Sequence, residues 1–158
     1  MARDKLLVAV AVLLMAASPV VFGQPKNPFV GVWKLDTTSP AVESQPTAAT
    51  LTITEAGNGV RVEVRETFTG RPEQAWSFQS GGDSQDMPVT GLASIDSVKT
   101  ISNGARSRTS VFSKSGKIVS ESTADVSEDG RTLTIRTKGI GASGEPVSRT
   151  SVYSRQSR

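Results

Sequence analysis

Chemistry in this chain has to be sought among carboxylates, hydroxyls, arginines and a single tyrosine, because the sequence contains neither histidine nor cysteine. That composition removes thiol nucleophiles, disulfide frameworks, His or Cys zinc sites, imidazole acid–base catalysis and the Ser-His-Asp triad. Two constellations remain. In the last apolar segment, period-two alternation puts Val147, Arg149, Ser151, Tyr153 and Arg155 on one face. If Tyr153 faces inward then Arg149 does too, and a guanidinium beside a phenol in an apolar cup could hold the head of an amphipathic anion. Phe68, Trp76, Phe78 and Phe112 are the candidate wall for the tail of such a ligand. The plainer expectation is an Arg149 solvated near a rim, with Tyr153 merely packing. The second constellation centres on Glu66, which interrupts the apolar face formed by Val60, Val62, Val64 and Phe68. An isolated buried carboxylate is costly. Glu66 is therefore either a polar anchor paired with Arg108 or Arg149, or, as the plainer expectation, the point where a strand end turns to solvent.

The remaining acids point to turns. Asp83 and Asp86 share a Gly-rich loop with room for a hard cation but lack the regular spacing of a calcium loop, and Glu128 and Asp129 belong to a hairpin. No nucleophile has an identifiable base, so neither catalysis nor a metal or other cofactor is expected.

These groups must be held by strands. After Gln24 there is no amphipathic helical pattern; runs rich in Val, Ile, Thr and aromatics alternate with turn residues. The runs are Val30 to Asp36, Ala49 to Thr54, Val60 to Thr69, Gln74 to Ser80, Met87 to Thr90, Ile95 to Ile101, Ala105 to Lys114, Lys117 to Val126, Arg131 to Lys138 and Pro146 to Arg155. Asn103-Gly104, Ser115-Gly116 and Asp129-Gly130 fall between runs, where glycine supplies the positive φ of tight hairpins. Val111 and Phe112 point to opposite faces of their run, which calls for a bulge or a two-sided strand. Roughly ten hairpin-linked strands make an up-and-down meander, whose edges are best removed by closing into a single antiparallel barrel of about 8–10 strands; a sandwich is the alternative. A membrane-spanning barrel is not expected, because Arg61, Glu63 and Arg65 would face lipid.

The chain of 158 residues suits one globular domain. Residues 1–23 have the form of a secretory signal: Arg3 and Lys5, an apolar run from Leu6 to Ala17, then Ser18-Pro19 and a favoured cleavage point after Gly23. The run is shorter than the roughly 20 residues that span a bilayer. The barrel domain is thus expected over 24–158, soluble in the periplasm or outside the cell. The net charge of +3 is unevenly spread: Gln24 to Val98 carries five cations and nine anions, Lys99 to Arg158 eleven and five. The cations of the basic half are interleaved with Ser and Thr, and its aromatics are only Phe112 and Tyr153, so a nucleic-acid partner is not expected.

The opening Asn27-Pro28-Phe29-Val30-Gly31-Val32-Trp33-Lys34-Leu35-Asp36 resembles the first strand of the calycins, the lipocalin and fatty-acid-binding superfamily marked by Gly-x-Trp. With Pro88 to Gly91, the Asp129 to Thr134 segment and the closing Val152-Tyr153-Ser154-Arg155, the chain is similar to small exported bacterial lipocalin-like proteins over most of its length. The resemblance implies a barrel floor in which Gly31 admits a close approach, Trp33 is the plug, and Arg155 or Arg149 lies over the indole. The chain departs from the fatty-acid-binding branch, whose last strand carries Arg-x-Tyr: Ser151 stands where that arginine would be, and the 37–47 connection is too short and proline-broken for a helical lid.

The expected function is non-catalytic binding of a small hydrophobic or amphipathic molecule. The alternative is a protein-interaction module, an inhibitor or envelope-associated partner, that uses one rim while side chains fill the interior.

Overall fold

The computed structural model of the chain describes residues 27–36, 46–81, 84–140 and 146–157. The expected signal segment 1–23, nearly all of the 37–47 connection and the 141–145 segment lie outside the described residues. What is described is all-β. Ten strands follow in order: β1 (Gly31–Leu35), β2 (Ala48–Ala56), β3 (Gly59–Thr67), β4 (Gln74–Ser80), β5 (Asp86–Thr90), β6 (Ser97–Gly104), β7 (Ser107–Lys114), β8 (Lys117–Val126), β9 (Thr132–Ile140) and β10 (Pro146–Arg155). Among the described residues no helix is long and apolar enough to cross a membrane.

Each strand pairs antiparallel with its sequence neighbours, and β1 closes the ring against β10 through Trp33↔Arg155 and Leu35↔Tyr153. The result is a closed up-and-down barrel rather than a sandwich, with no strand left as an edge. Alternation explains the pairing. On β2 and β3, Ala49, Leu51, Ile53, Val60, Val62 and Val64 are buried, while Arg61, Glu63 and Arg65 point outward. Registers such as Leu51↔Val64 and Ile53↔Val62 put these apolar groups side by side, and a slip of one residue would expose the whole set. On the outer face Arg61 reaches Glu63 at 3.0 Å and Arg65 reaches Glu73 at 3.2 Å. These pairs are exposed and contribute little to stability.

Several strand boundaries differ from the sequence reading. Asn103-Gly104 is not the β6–β7 turn: the chain bulges between Ser102 and Gly104, Asn103 Nδ2 donates to Thr109 Oγ1 at 2.8 Å, and the reversal falls at Ala105-Arg106. The bulge absorbs one extra residue on β6, which keeps Gly104 paired with Ser107. β6 begins at Ser97 rather than Ile95, because Asp96 is taken up in the loop, accepting a hydrogen bond from Ser115 N at 2.9 Å. β9 runs on through Gly139 and Ile140, which pair with Val147 and Pro146. Val111 and Phe112 stay in regular consecutive register, with Phe112 buried and Val111 half-buried, and the strand bulges just beyond them, between Phe112 and Ser113.

Candidate binding cavity

One end of the barrel is built around Trp33, which is 0% exposed. Its indole N–H donates to Phe29 O at 2.8 Å, so the ring is buried without an orphaned donor. The Arg155 guanidinium carbon lies 4.1 Å from the indole centroid, a cation–π contact. The same guanidinium donates from Nε to Gly130 O and from Nη1 to Val30 O, both at 2.6 Å, and from Nη2 to Pro28 O. It thereby ties the segment before β1 to the β8–β9 turn. Gly31 is required here: a Cβ at this position would stand 2.5 Å from Arg155 Nη1, and its φ is +151°. Gly31, Trp33 and Arg155 thus meet as one floor, and Arg155 rather than Arg149 covers the indole.

Above that floor the barrel encloses a cavity of about 120 Å³, several times the space a single water needs. Its lining is two-sided. β2, β3 and β4 contribute Leu51, Ile53, Val60, Val62, Val64 and Phe78. The opposite strands contribute hydroxyls, among them Thr100 and Ser110, 3.2 Å apart, and Ser122 and Thr137, 2.8 Å apart. Each of these four hydroxyls has a partner on the neighbouring strand, so none of the four is orphaned. Trp76, Phe78 and Phe112 form an aromatic cluster on the wall: Trp76 stacks on Phe78 with centroids 5.7 Å apart, and Phe112 meets both edge-on at 6.1 and 5.6 Å.

Far from the floor, β3, β4 and β10 bring Glu66, Trp76 and Arg149 together. Glu66 is 7% exposed, accepts a hydrogen bond from Trp76 Nε1 at 3.1 Å, and faces Arg149 Nη2 at 3.9 Å. The strand does not turn to solvent at Glu66, while Arg149 keeps 30% of its side chain exposed as it faces the carboxylate. The ion pair is made with Arg149, not Arg108. Tyr153, on the same face of β10, is also buried, and its phenol pKa is pushed up to about 12, chiefly by burial and then by the charge of Glu66, with Arg149 and Ser151 opposing.

Of the residues expected around the cavity, Glu66, Trp76, Phe78, Phe112, Arg149 and Tyr153 line it; Phe68 does not. β3 ends at Thr67, so the alternation that put Phe68 beside Val64 stops one residue short. Asp83 lies outside the described residues, Asp86 opens β5 exposed to solvent, and among the described residues no three acids cluster to hold a metal. Arg108, expected from sequence only as a partner for Glu66, has another place. It lines the cavity with its guanidinium carbon 4.7 Å from the Phe29 centroid. The signal was available: Arg108, Ser110 and Phe112 share one face of β7 by period two.

No protein-family model matches the chain, and no curated protein matches it.

Proposed function

We propose that the protein is an exported, calycin-like binding protein whose barrel encloses one small apolar or amphipathic molecule without transforming it. The observation that carries this is the cavity inside a closed barrel, with a mainly apolar wall on β2–β4 and most of its hydroxyls on the facing strands. The floor of Gly31, Trp33 and Arg155 supports the calycin likeness, and the basic and apolar pattern of residues 1–23 supports export. A non-catalytic role agrees with the chemistry at hand. Tyr153 keeps its proton up to about pH 12 and so is no base near neutrality, and Glu66 faces Arg149 and accepts the Trp76 N–H.

Fluorescence titration with a neutral apolar probe, N-phenyl-1-naphthylamine, tests the proposal against Val62→Phe, which adds a ring to the apolar wall. The expected result is saturable one-to-one binding that Val62→Phe weakens at least tenfold while the fold is retained. Absence of saturable binding, or equal binding by a folded Val62→Phe protein, would overturn it.

A further inference from the structure

Arg108 is the charged group of the cavity whose neighbours do not explain it. It lies at the floor end, where β4 and β6 finish and β7 begins, and its one partner is the face of the Phe29 ring. The described residues offer it neither a carboxylate nor a hydrogen-bond acceptor, and burial lowers its pKa. Even so, an arginine stays protonated in a protein. Arg108 is half-buried, and the part of its guanidinium held against the ring and the apolar walls is the part that gains from a counter-charge.

Two further observations lie on the floor side of the cavity: Ser80 at the strand end itself, and the Thr100–Ser110 pair mid-strand, one inward position beyond Arg108. Ser80, the last residue of β4, is 3% exposed, lines the cavity, and has a buried Oγ with no hydrogen-bond partner. Thr100, 4% exposed, shares a single hydrogen bond with Ser110, so one of the two hydroxyl protons is left over. The floor side therefore presents donors: a guanidinium, an orphaned hydroxyl and a spare hydroxyl proton. The cavity's charge has the same sense. Among the described lining residues Glu66 is the only acid and Arg108 and Arg149 are the only cations; Glu66 faces Arg149, which leaves one positive charge unmatched.

We infer that the cavity selects an organic monoanion, bound head-down, with its oxyanion at Arg108, Ser80 and the Thr100–Ser110 pair and its apolar body along Val60, Val62 and Phe78. This rests on the binding role proposed above and specifies its ligand class. It reverses the orientation that Arg149 and Tyr153 suggest from sequence, because Arg149 faces Glu66, and a second anion at that end would meet the carboxylate.

The test compares 4-phenylbutyrate with 4-phenylbutan-1-ol, which share the apolar body and differ in the charged head, by heteronuclear NMR titration of the full chain. The expected result is at least tenfold tighter binding of the carboxylate, with the largest shifts at Ser80, Thr100 and Arg108. Arg108→Gln and, separately, Ser80→Ala should weaken the carboxylate several-fold more than the alcohol and so reduce the preference by that factor, the magnitude expected for loss of a charge-assisted contact. Equal affinity for the two probes, or a preference that survives Arg108→Gln, would overturn the monoanion assignment while leaving the binding role standing. Failure of both probes to bind the wild-type protein would overturn both.

Discussion

The Tyr153 phenol is closed in by the barrel wall, with a carboxylate nearby, and both conditions favour its neutral form. Its proton is therefore held more tightly in the folded chain than in the unfolded one. The folded pKa of about 12 exceeds the ordinary 10.0, so this contribution to stability is complete below about pH 10 and is lost as pH rises through 12. The difference corresponds to roughly 2–3 kcal/mol. Tyr153 is the single tyrosine, so its tyrosinate absorbance can be followed without ambiguity. The native protein should titrate near pH 12 and the denatured chain near 10, and Tyr153→Phe should flatten the fall in stability over that interval. A native midpoint near 10 would show that the phenol is not enclosed. Residue-scale legibility was uneven for a physical reason. Alternation identified Glu66 as inward-facing, but whether a carboxylate at a strand end meets water or an arginine depends on β10 crossing near β3, which no local pattern encodes.

At the scale of elements, two glycines have different reasons for being glycine. At Gly31 the limit is both space and backbone, because Arg155 occupies the place of a side chain and φ is +151°. At the β7–β8 turn it is backbone conformation: Ser115 and Gly116 have φ of 49° and 75°, and a Cβ on Gly116 would touch nothing within 4 Å. Two consecutive residues with positive φ match the twist of a tight hairpin. Gly116→Ala should therefore destabilise the protein by about 1 kcal/mol through backbone strain alone, leaving the β7–β8 register intact in NMR cross-strand contacts. A loss of register would show that packing, not φ, decides the turn. The strands themselves were legible almost throughout, since alternation and turn residues are local: Gln74–Ser80, Lys117–Val126 and Pro146–Arg155 have the expected bounds. Asn103-Gly104 misled because a bulge and a turn use the same residue types, and only the pairing of Ser102 with Arg108 and Gly104 with Ser107 separates them. Phe68 misled because alternation continues past the last paired residue, Thr67.

For the whole molecule, closure and content are separate matters. Closure follows from ten hairpin-linked strands and from β1 meeting β10, and it leaves no unpaired edge. Content is set by which inward positions are small or polar. Ser110, Ser122, Thr137 and Ser151 stand where a filled barrel would carry larger apolar groups, and the interior retains a cavity of about 120 Å³. In the sequence those serines and threonines were equally compatible with either face. Only registers such as Ser122↔Thr137 put them inside together. The central claim, that this space holds a small molecule, is tested most directly by native mass spectrometry of the gently purified protein. A discrete adduct that survives in the native spectrum and is lost on denaturation is the predicted result. A clean unliganded mass, unchanged after incubation with a lipid extract, would contradict it.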